Sequence, residues 1–218
     1  MEKPLVRVLR TIGAHKEIKY MKHLIISGSN RKDSGSRKVS NYIQSVLQDS
    51  KIFDLHEEQI ELWTEDMWNR ESKQVQAWAA HAEVLQKAEG FVFVVPEWGG
   101  MVAAPMVNFL QHLSFSEMAH KPVLLVGVSS GRGGTYPIAQ MRAFSFKNNS
   151  LVYIPDHVIV RDVNSVLNDS IINEDDTSDE FIKKRLNRSI NILEHYTNHM
   201  SALREEMNLS IDDYPYGM

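Results

Sequence analysis

Two long apolar runs near the middle of the chain constrain its fold most strongly. Residues 91–95 and Pro122–Val128 contain no charged side chain, and each run is followed by a loop with glycines and then by a helical pattern. Such runs are typical of central parallel strands that are covered on both faces. The remaining strand candidates are shorter or include polar side chains. They are residues 23–27, 51–55, 151–154 and 157–160, the last two separated by Pro155.

Strands that alternate with helical patterns predict an α/β fold with a parallel sheet and right-handed crossovers. Five strand–helix units fit between His23 and Arg204, and the C-terminal helix of the last unit is marked by Ile182, Leu186, Ile190 and Leu193. We therefore predict one domain over residues 21–218. Residues 1–20 are predicted to be an N-terminal extension, because Arg7 interrupts the apolar stretch that a secretory signal needs. An extra edge strand is the alternative for this segment.

Composition excludes several kinds of protein. The 218 residues include no cysteine, so disulfides, cysteine zinc sites, iron–sulfur clusters and cysteine nucleophiles are all absent, and redox chemistry requires a bound cofactor. The charge of −4, from 24 Lys and Arg against 28 Asp and Glu, disfavours a general nucleic-acid binder. No apolar run approaches the roughly 18 residues that span a bilayer. We expect a cytoplasmic protein without a metal site.

The loop after residues 23–27 has the composition of a phosphate site. In open parallel sheets, ligands bind at the carboxyl ends of the strands. This loop offers three hydroxyls and one guanidinium ahead of a helix, from Ser29, Ser34, Ser36 and Arg31. Backbone N–H groups at a helix N-terminus, together with such donors, bind phosphate. The alternative is a serine-capped helix, which needs only one serine. Neither a P-loop nor a dinucleotide fingerprint is present.

Two further loops follow the long apolar runs. The first is a bent segment whose backbone can face a ligand and whose Trp98 can lie against an aromatic ring; it contains Pro96, Glu97, Trp98, Gly99 and Gly100. The second has three glycines that permit close approach of a flat ligand; it contains Ser129, Ser130, Gly131, Gly133 and Gly134. An ordinary turn with a packed Trp and a flexible turn are the respective alternatives.

The second of these loops also fits a serine hydrolase. A Gly-x-Ser-x-Gly pattern centred on Ser129 lies between a strand and a helix, as a nucleophile elbow does. Asp156 or Asp162, followed by His195 or His199, would complete the triad in chain order. Both histidines lie within the C-terminal helical pattern, however, and the hydrolase leaves the serine-rich first loop unexplained.

Taken together, the three loops resemble those of the NAD(P)H-dependent FMN reductase family. The resemblance covers roughly residues 21–160, with Trp98 and Gly99 at the positions of the usual Tyr and Asn. It implies a flavodoxin-like three-layer sandwich around a five-stranded parallel sheet. It also implies that the FMN phosphate rests on Ser29, Arg31, Ser34 and Ser36. The isoalloxazine would then lie between residues 96–100 and 129–134.

The resemblance further implies hydride transfer from NADPH or NADH through bound FMN to a quinone, an azo compound, a flavin or a similar acceptor. Because the cofactor does the chemistry, we assign no catalytic residue to the chain. A flavodoxin-like electron carrier, or an FMN-binding protein without turnover, is the alternative, although the mild net charge disfavours a carrier. Members of the family usually form homodimers or homotetramers, and Leu113, Phe115 and Met118 are the candidates for the subunit contact.

Overall fold

The computed structural model describes residues 21–168 and 177–207. Its sheet has the order β2-β1-β3-β5-β6, with all five strands parallel, and β4 pairs with the end of β3 in antiparallel orientation. The predicted five-stranded parallel sheet is thereby confirmed. The strands are β1 (His23–Ser27), β2 (Ser50–Asp54), β3 (Gly90–Trp98), β4 (Met101–Val102), β5 (Pro122–Val128) and β6 (Val152–Val160).

Helices cover both faces of the sheet and complete a flavodoxin-like three-layer sandwich. One apolar core contains side chains of α1 and α7, and the other contains side chains of α3, α4 and α6. The helices are α1 (Gly35–Val46), α2 (Leu55–Glu58), α3 (Lys73–Lys87), α4 (Ala104–His112), α5 (Phe115–Met118), α6 (Thr135–Ala143) and α7 (Ser178–Glu206), with a 3-10 turn at Glu65–Trp68.

The central strands are apolar throughout because both of their faces are buried. Along β3, Phe91 and Phe93 belong to one core, whereas Val92 and Val94 belong to the other. This alternation follows from the two-residue period of a strand. Packing on both sides therefore accounts for the long apolar runs in the sequence.

Pro155 does not divide the last strand, contrary to the prediction. β6 is continuous, and the extra residues lie between the pairs Val123–Tyr153 and Leu125–His157, where the register shifts. Pro155 is exposed, and β6 lies at the edge of the sheet, where a missing N–H is tolerated. Arg142 holds this bulge, since its Nη2 lies 2.8 and 2.9 Å from the carbonyl oxygens of Ile154 and Pro155.

Two of the residues predicted at a subunit contact are buried inside the chain. Met118 is fully buried, Leu113 is 6% exposed, and both belong to the core on the α4 side of the sheet. The chain turns back after α4, and α5 packs against α3. Leu113 and Met118 therefore have no free surface for a partner, and this part of the prediction is wrong. Phe115 is half-buried.

The predicted extension, residues 1–20, lies outside the described residues and stays a prediction. Met21, the first described residue, is buried against the sheet. Within residues 21–168 and 177–207, no helix combines the length and the apolar character needed to cross a membrane.

A buried histidine at the start of β1 makes the fold sensitive to acid. His23 is 1% exposed, and its Nε2 lies 3.2 Å from the hydroxyl oxygen of Thr197, which itself donates to the carbonyl of Leu193. Burial lowers the pKa of His23 from 6.5 to about 4. The unfolded chain therefore binds more protons between these two values, and stability falls as the pH drops through this window. Titration of His23 therefore lowers the free energy of unfolding by about 2 kcal/mol between pH 7 and pH 5.

Urea unfolding at pH 7 and pH 5 measures this loss. In His23→Leu, the loss should shrink by most of that amount, because Thr197 keeps its bond to Leu193 and the titrating group is gone. The matched control is His199→Leu, which removes an exposed histidine of α7 and should keep the wild-type loss. An undiminished acid loss in His23→Leu would refute the assignment.

Candidate functional site

The three predicted loops meet at the carboxyl edge of the sheet. They follow β1, β3 and β5, which are neighbours in the strand order. The N–H of Gly28 donates to the carbonyl of Val94 over 2.9 Å, and Pro96 pairs with Val128, so the ends of the three strands lie side by side. The structure therefore brings together segments that are about a hundred residues apart in sequence.

In the first loop, two serines already have roles within the protein. The Ser34 hydroxyl accepts a hydrogen bond from the Arg37 N–H over 3.0 Å and caps α1. The hydroxyl of Ser29, which is 1% exposed, accepts from the Arg31 N–H over 3.2 Å. Each acceptor still has its own hydroxyl proton to donate. The capped-helix interpretation thus explains one serine of the loop and leaves Ser36 unexplained.

The remaining donors of this loop lack partners within residues 21–168 and 177–207. The Ser36 hydroxyl is buried without a hydrogen bond, and the exposed Arg31 guanidinium makes no ion pair. The first-turn N–H groups of Gly35 and Ser36 are likewise unpaired, and this turn contains no acidic side chain. A phosphate at this helix N-terminus would satisfy such donors, so the residues fit the group.

The second segment is a β-hairpin and not the bent loop that the sequence predicted. β3 continues through Trp98, which pairs with Met101 of β4. Gly99 and Gly100 form the two-residue turn with φ values of 57° and 75°, a conformation that favours glycine at both positions. Pro96 had suggested that the strand ends earlier. Because β1 ends opposite Val94, only one neighbouring strand remains beside Pro96, and a proline is tolerated there.

The third segment is fixed and not a flexible turn. The Ser129 N–H donates to the carbonyl of Val160 over 3.0 Å, and the Ser129 carbonyl accepts from Val163 over 3.1 Å. The Gly131 carbonyl accepts from the Asp162 N–H over 2.9 Å. The chain after β6 therefore holds this loop from one side, so its other side is a rigid surface.

The glycines of this segment have different physical roles. A Cβ on Gly127 would lie 2.3 Å from the carbonyl oxygen of Gly134, so glycine is required there for the loop to fold back over β5. Gly134 itself has a φ of 98°. A Cβ on Gly131, by contrast, would meet no atom of the described residues within 4 Å. Gly131 thus offers bare backbone next to open space, which suits a flat ligand.

Two side chains tie the hairpin to the third segment. Glu97 Oε2 accepts from the Gly134 N–H over 2.5 Å, and Gln140 Oε1, on α6, accepts from the Val102 N–H over 2.8 Å. Arg161 supports the same loop, because its Nε donates to the carbonyl of Arg132 over 2.7 Å. No sequence pattern predicts these bonds, since each one joins residues that are distant along the chain.

The positions of His195 and His199 contradict the serine hydrolase alternative. His195 and His199 are exposed and flank Thr197, which contacts His23 at the amino end of β1. Ser129 follows the carboxyl end of β5, at the opposite edge of the sheet. Both histidines lie within the last helix, as the sequence predicted, and both are on its exposed surface.

The model of a protein family described as NADPH-dependent FMN reductase matches residues 21–164. The chain belongs to this family. The match spans all three segments of the carboxyl edge, and it confirms the resemblance found in the sequence. This FMN reductase family member is therefore an oxidoreductase, with FMN as its cofactor and a reduced nicotinamide nucleotide as its electron donor. Family membership favours an enzyme over the two alternatives, a flavodoxin-like electron carrier and an FMN-binding protein without turnover.

Two curated relatives and one solved structure illustrate the similarity. An NADPH azoreductase from Bacillus sp. is 31% identical over 124 residues, which cover 56% of this chain and 67% of the relative. An FMN-dependent NADPH-azoreductase from Staphylococcus saprophyticus is 29% identical over 127 residues, which cover 56% and 68%. The fold is shared with a flavoenzyme NAD(P)H:(acceptor) oxidoreductase from Paracoccus denitrificans, at a TM-score of 0.64 and 16% identity over 81% of this chain and 98% of that one.

Proposed function

We propose that this reductase holds FMN at the carboxyl edge of its sheet and passes the electrons of NADPH or NADH to an azo or quinone acceptor. The observation that carries the placement is the set of unpaired donors at the start of α1, the Ser36 hydroxyl and the Arg31 guanidinium. The names of the two curated relatives, both azoreductases, support the azo acceptor.

In this proposal the loop after β1 binds the FMN phosphate. Arg31 supplies the positive charge. Ser36 and the first-turn N–H groups of α1 donate hydrogen bonds to the phosphate. Ser29 and Ser34, which accept hydrogen bonds within the protein, donate their own hydroxyl protons to it. Charge-assisted bonds of this kind are about twice as strong as neutral ones. The phosphate would thus fix one end of the cofactor at the helix N-terminus.

The hairpin and the third segment would flank the isoalloxazine. The proposed contacts are Pro96, Trp98, Gly99 and Gly100 on one side and Ser129, Ser130, Gly131, Gly133 and Gly134 on the other, with Glu97 between them. Met101 is 58% exposed and Tyr136 67% exposed beside this edge, and Tyr136 approaches Gly100. Such a rim can stack an aromatic acceptor and exclude water from the ring.

The bound flavin supplies the redox chemistry, because it accepts hydride from a nicotinamide and returns two electrons to an acceptor. The chain contributes binding and orientation. No side chain at this edge is assigned as an acid or a base, in keeping with the prediction that the chain has no catalytic residue of its own.

We also propose that the enzyme is a cytoplasmic homodimer or homotetramer. The cysteine-free sequence supports a reducing compartment. Leu62 is 76% exposed and Trp68 78% exposed, and contiguous apolar patches on a surface mark contacts with partners, so these two side chains are further candidates for the contact. Phe115 remains a candidate for the contact. Sedimentation of the FMN-loaded enzyme as a monomer would contradict the oligomer.

Cofactor loading and turnover test the function. We expect the purified protein, mixed with equimolar FMN and desalted, to retain the absorption bands of a flavin. Under anaerobic conditions NADPH should bleach these bands, and an azo dye or a quinone should restore them. A protein that loses all flavin on desalting contradicts the cofactor site. A flavin that neither NADPH nor NADH reduces contradicts the reaction, whatever the affinity for FMN.

A further inference from the structure

We propose that Glu97 is a positioning residue that sets the gap between the two walls of the flavin site, an inference that rests on the proposed function. Its carboxylate lies between the hairpin of residues 98–101 and the loop of residues 129–134 and bonds to the loop. The sequence had assigned Glu97 to direct contact with the cofactor. The structure points instead to an indirect role, in which Glu97 holds the loop of residues 129–134 and does not itself contact the cofactor.

The first observation is the bond itself. Glu97 belongs to β3 and pairs with Val102 of β4, so its backbone is fixed at the base of the hairpin. Its Oε2 accepts from the Gly134 N–H over 2.5 Å, and Gly134 immediately precedes α6. One side chain therefore connects two segments that are 37 residues apart.

The second observation is steric. A Cβ on Gly133 would lie 2.4 Å from Glu97 Oε1 and 3.1 Å from Oε2. The carboxylate thus rests directly on the backbone of Gly133, in space that any other residue would occupy. The Glu97 carboxylate can therefore occupy this position only because residue 133 is a glycine.

The third observation is that this connection is reinforced. The Val102 N–H, on the second strand of the hairpin and opposite Glu97, donates to Oε1 of Gln140 in α6 over 2.8 Å. Both strands of the hairpin are therefore bonded to the same loop–helix unit, β3 through Glu97 to Gly134 and β4 through the Val102 N–H to Gln140 in the second turn of α6. With two ties the hairpin has a defined distance from the loop, which a flat ring between them requires.

The test begins with Glu97→Ala and Glu97→Gln. We expect Glu97→Ala to weaken FMN binding about tenfold or more, because the gap is no longer fixed. Glu97→Gln keeps the shape and one acceptor oxygen, so its affinity should stay within about threefold of the wild type. Fluorescence titration of FMN measures the affinity, and visible circular dichroism of the bound flavin reports the surroundings of the ring. Glu71→Ala, which removes an exposed glutamate, is the matched control.

A double-mutant cycle with Gly133→Ala sharpens the test. The added methyl group collides with the Glu97 carboxylate, so Gly133→Ala alone should weaken FMN binding as Glu97→Ala does. In the Glu97→Ala background the methyl group no longer meets a carboxylate. Adding Gly133→Ala to Glu97→Ala should therefore weaken FMN binding little beyond the effect of Glu97→Ala alone. Because the two residues act through one contact, their effects should be far from additive.

The outcomes separate this inference from the proposed function. If Glu97→Ala binds FMN as tightly as the wild type, or if Glu97→Gln fails to restore the affinity and the dichroism of the wild type, Glu97 does not position the walls, although the flavin site stands. Additive effects in the cycle would overturn the inference in the same way. If the wild type binds no FMN, the proposed function itself fails. Thermal unfolding of each FMN-free variant identifies any general loss of stability.

Discussion

Replacing Arg31 and Ser36 together by alanine should weaken FMN binding by roughly 3–6 kcal/mol, because each charge-assisted phosphate contact is worth about 1.5–3 kcal/mol. The fold should tolerate both changes. Arg31 is exposed, and the buried Ser36 hydroxyl has no partner among the described residues, so its removal leaves no acceptor or donor unpaired. Fluorescence titration of FMN measures the loss, and urea unfolding of the FMN-free protein measures the stability.

Two controls make this result specific. Lys32→Ala removes a neighbouring exposed positive charge and should have little effect on the affinity. Ser34→Ala removes the cap of α1 and should cost about 1 kcal/mol of stability, so it is a less clear probe of binding than Ser36→Ala. Wild-type affinity in the double variant, or an equal loss in Lys32→Ala, would contradict the phosphate site.

Gly127→Ala should destabilise the fold and disrupt the third segment. Its Cβ would lie 2.3 Å from the carbonyl oxygen of Gly134, a backbone atom that cannot rotate away, so β5 and the loop must separate. Overpacking of this kind costs about 1–3 kcal/mol. Urea unfolding of the FMN-free protein should show the loss, and FMN titration should show weaker binding.

Gly131→Ala is the matched variant in the same strand–loop–helix unit. Its methyl group meets no atom within 4 Å in residues 21–168 and 177–207, so the stability should stay at the wild-type value. If the isoalloxazine lies against this loop, the same methyl group should weaken FMN binding. Gly127→Ala with wild-type stability would contradict the close approach of the backbones. Unchanged FMN affinity in Gly131→Ala would show that the isoalloxazine does not lie against Gly131.

The sheet could be predicted because buried parallel strands leave a local signal in the sequence. Residues 91–95 and Pro122–Val128 are apolar on both faces, a pattern that is typical of central parallel strands. The hairpin at Gly99 and Gly100 was missed because its second strand has only two residues, too few for a pattern. The continuity of β6 was missed because the support for Pro155 comes from Arg142, which lies on a different element.

The three loops of the candidate site could be predicted from the sequence, but the role of each side chain in them could not. Counting hydroxyls in the first loop could not distinguish Ser34, which caps the helix, from Ser36, which has no hydrogen-bond partner in the part of the chain that the structure describes. Similarly, Glu97 and Gly134 bond across a distance that only the folded sheet closes. Local composition thus indicates what a loop can bind, whereas long-range contacts decide which of its side chains are available.

The bulge in β6 has a consequence for how copies of this protein can associate. An open sheet edge with a regular row of N–H and C=O groups recruits strands of other molecules and promotes aggregation. Here Pro155 removes one donor from that edge, and Arg142 occupies the carbonyls of Ile154 and Pro155 from within the chain. The other edge strand, β2, carries the exposed Lys51. Both edges of the described sheet therefore carry features that disfavour edge-to-edge pairing with another molecule.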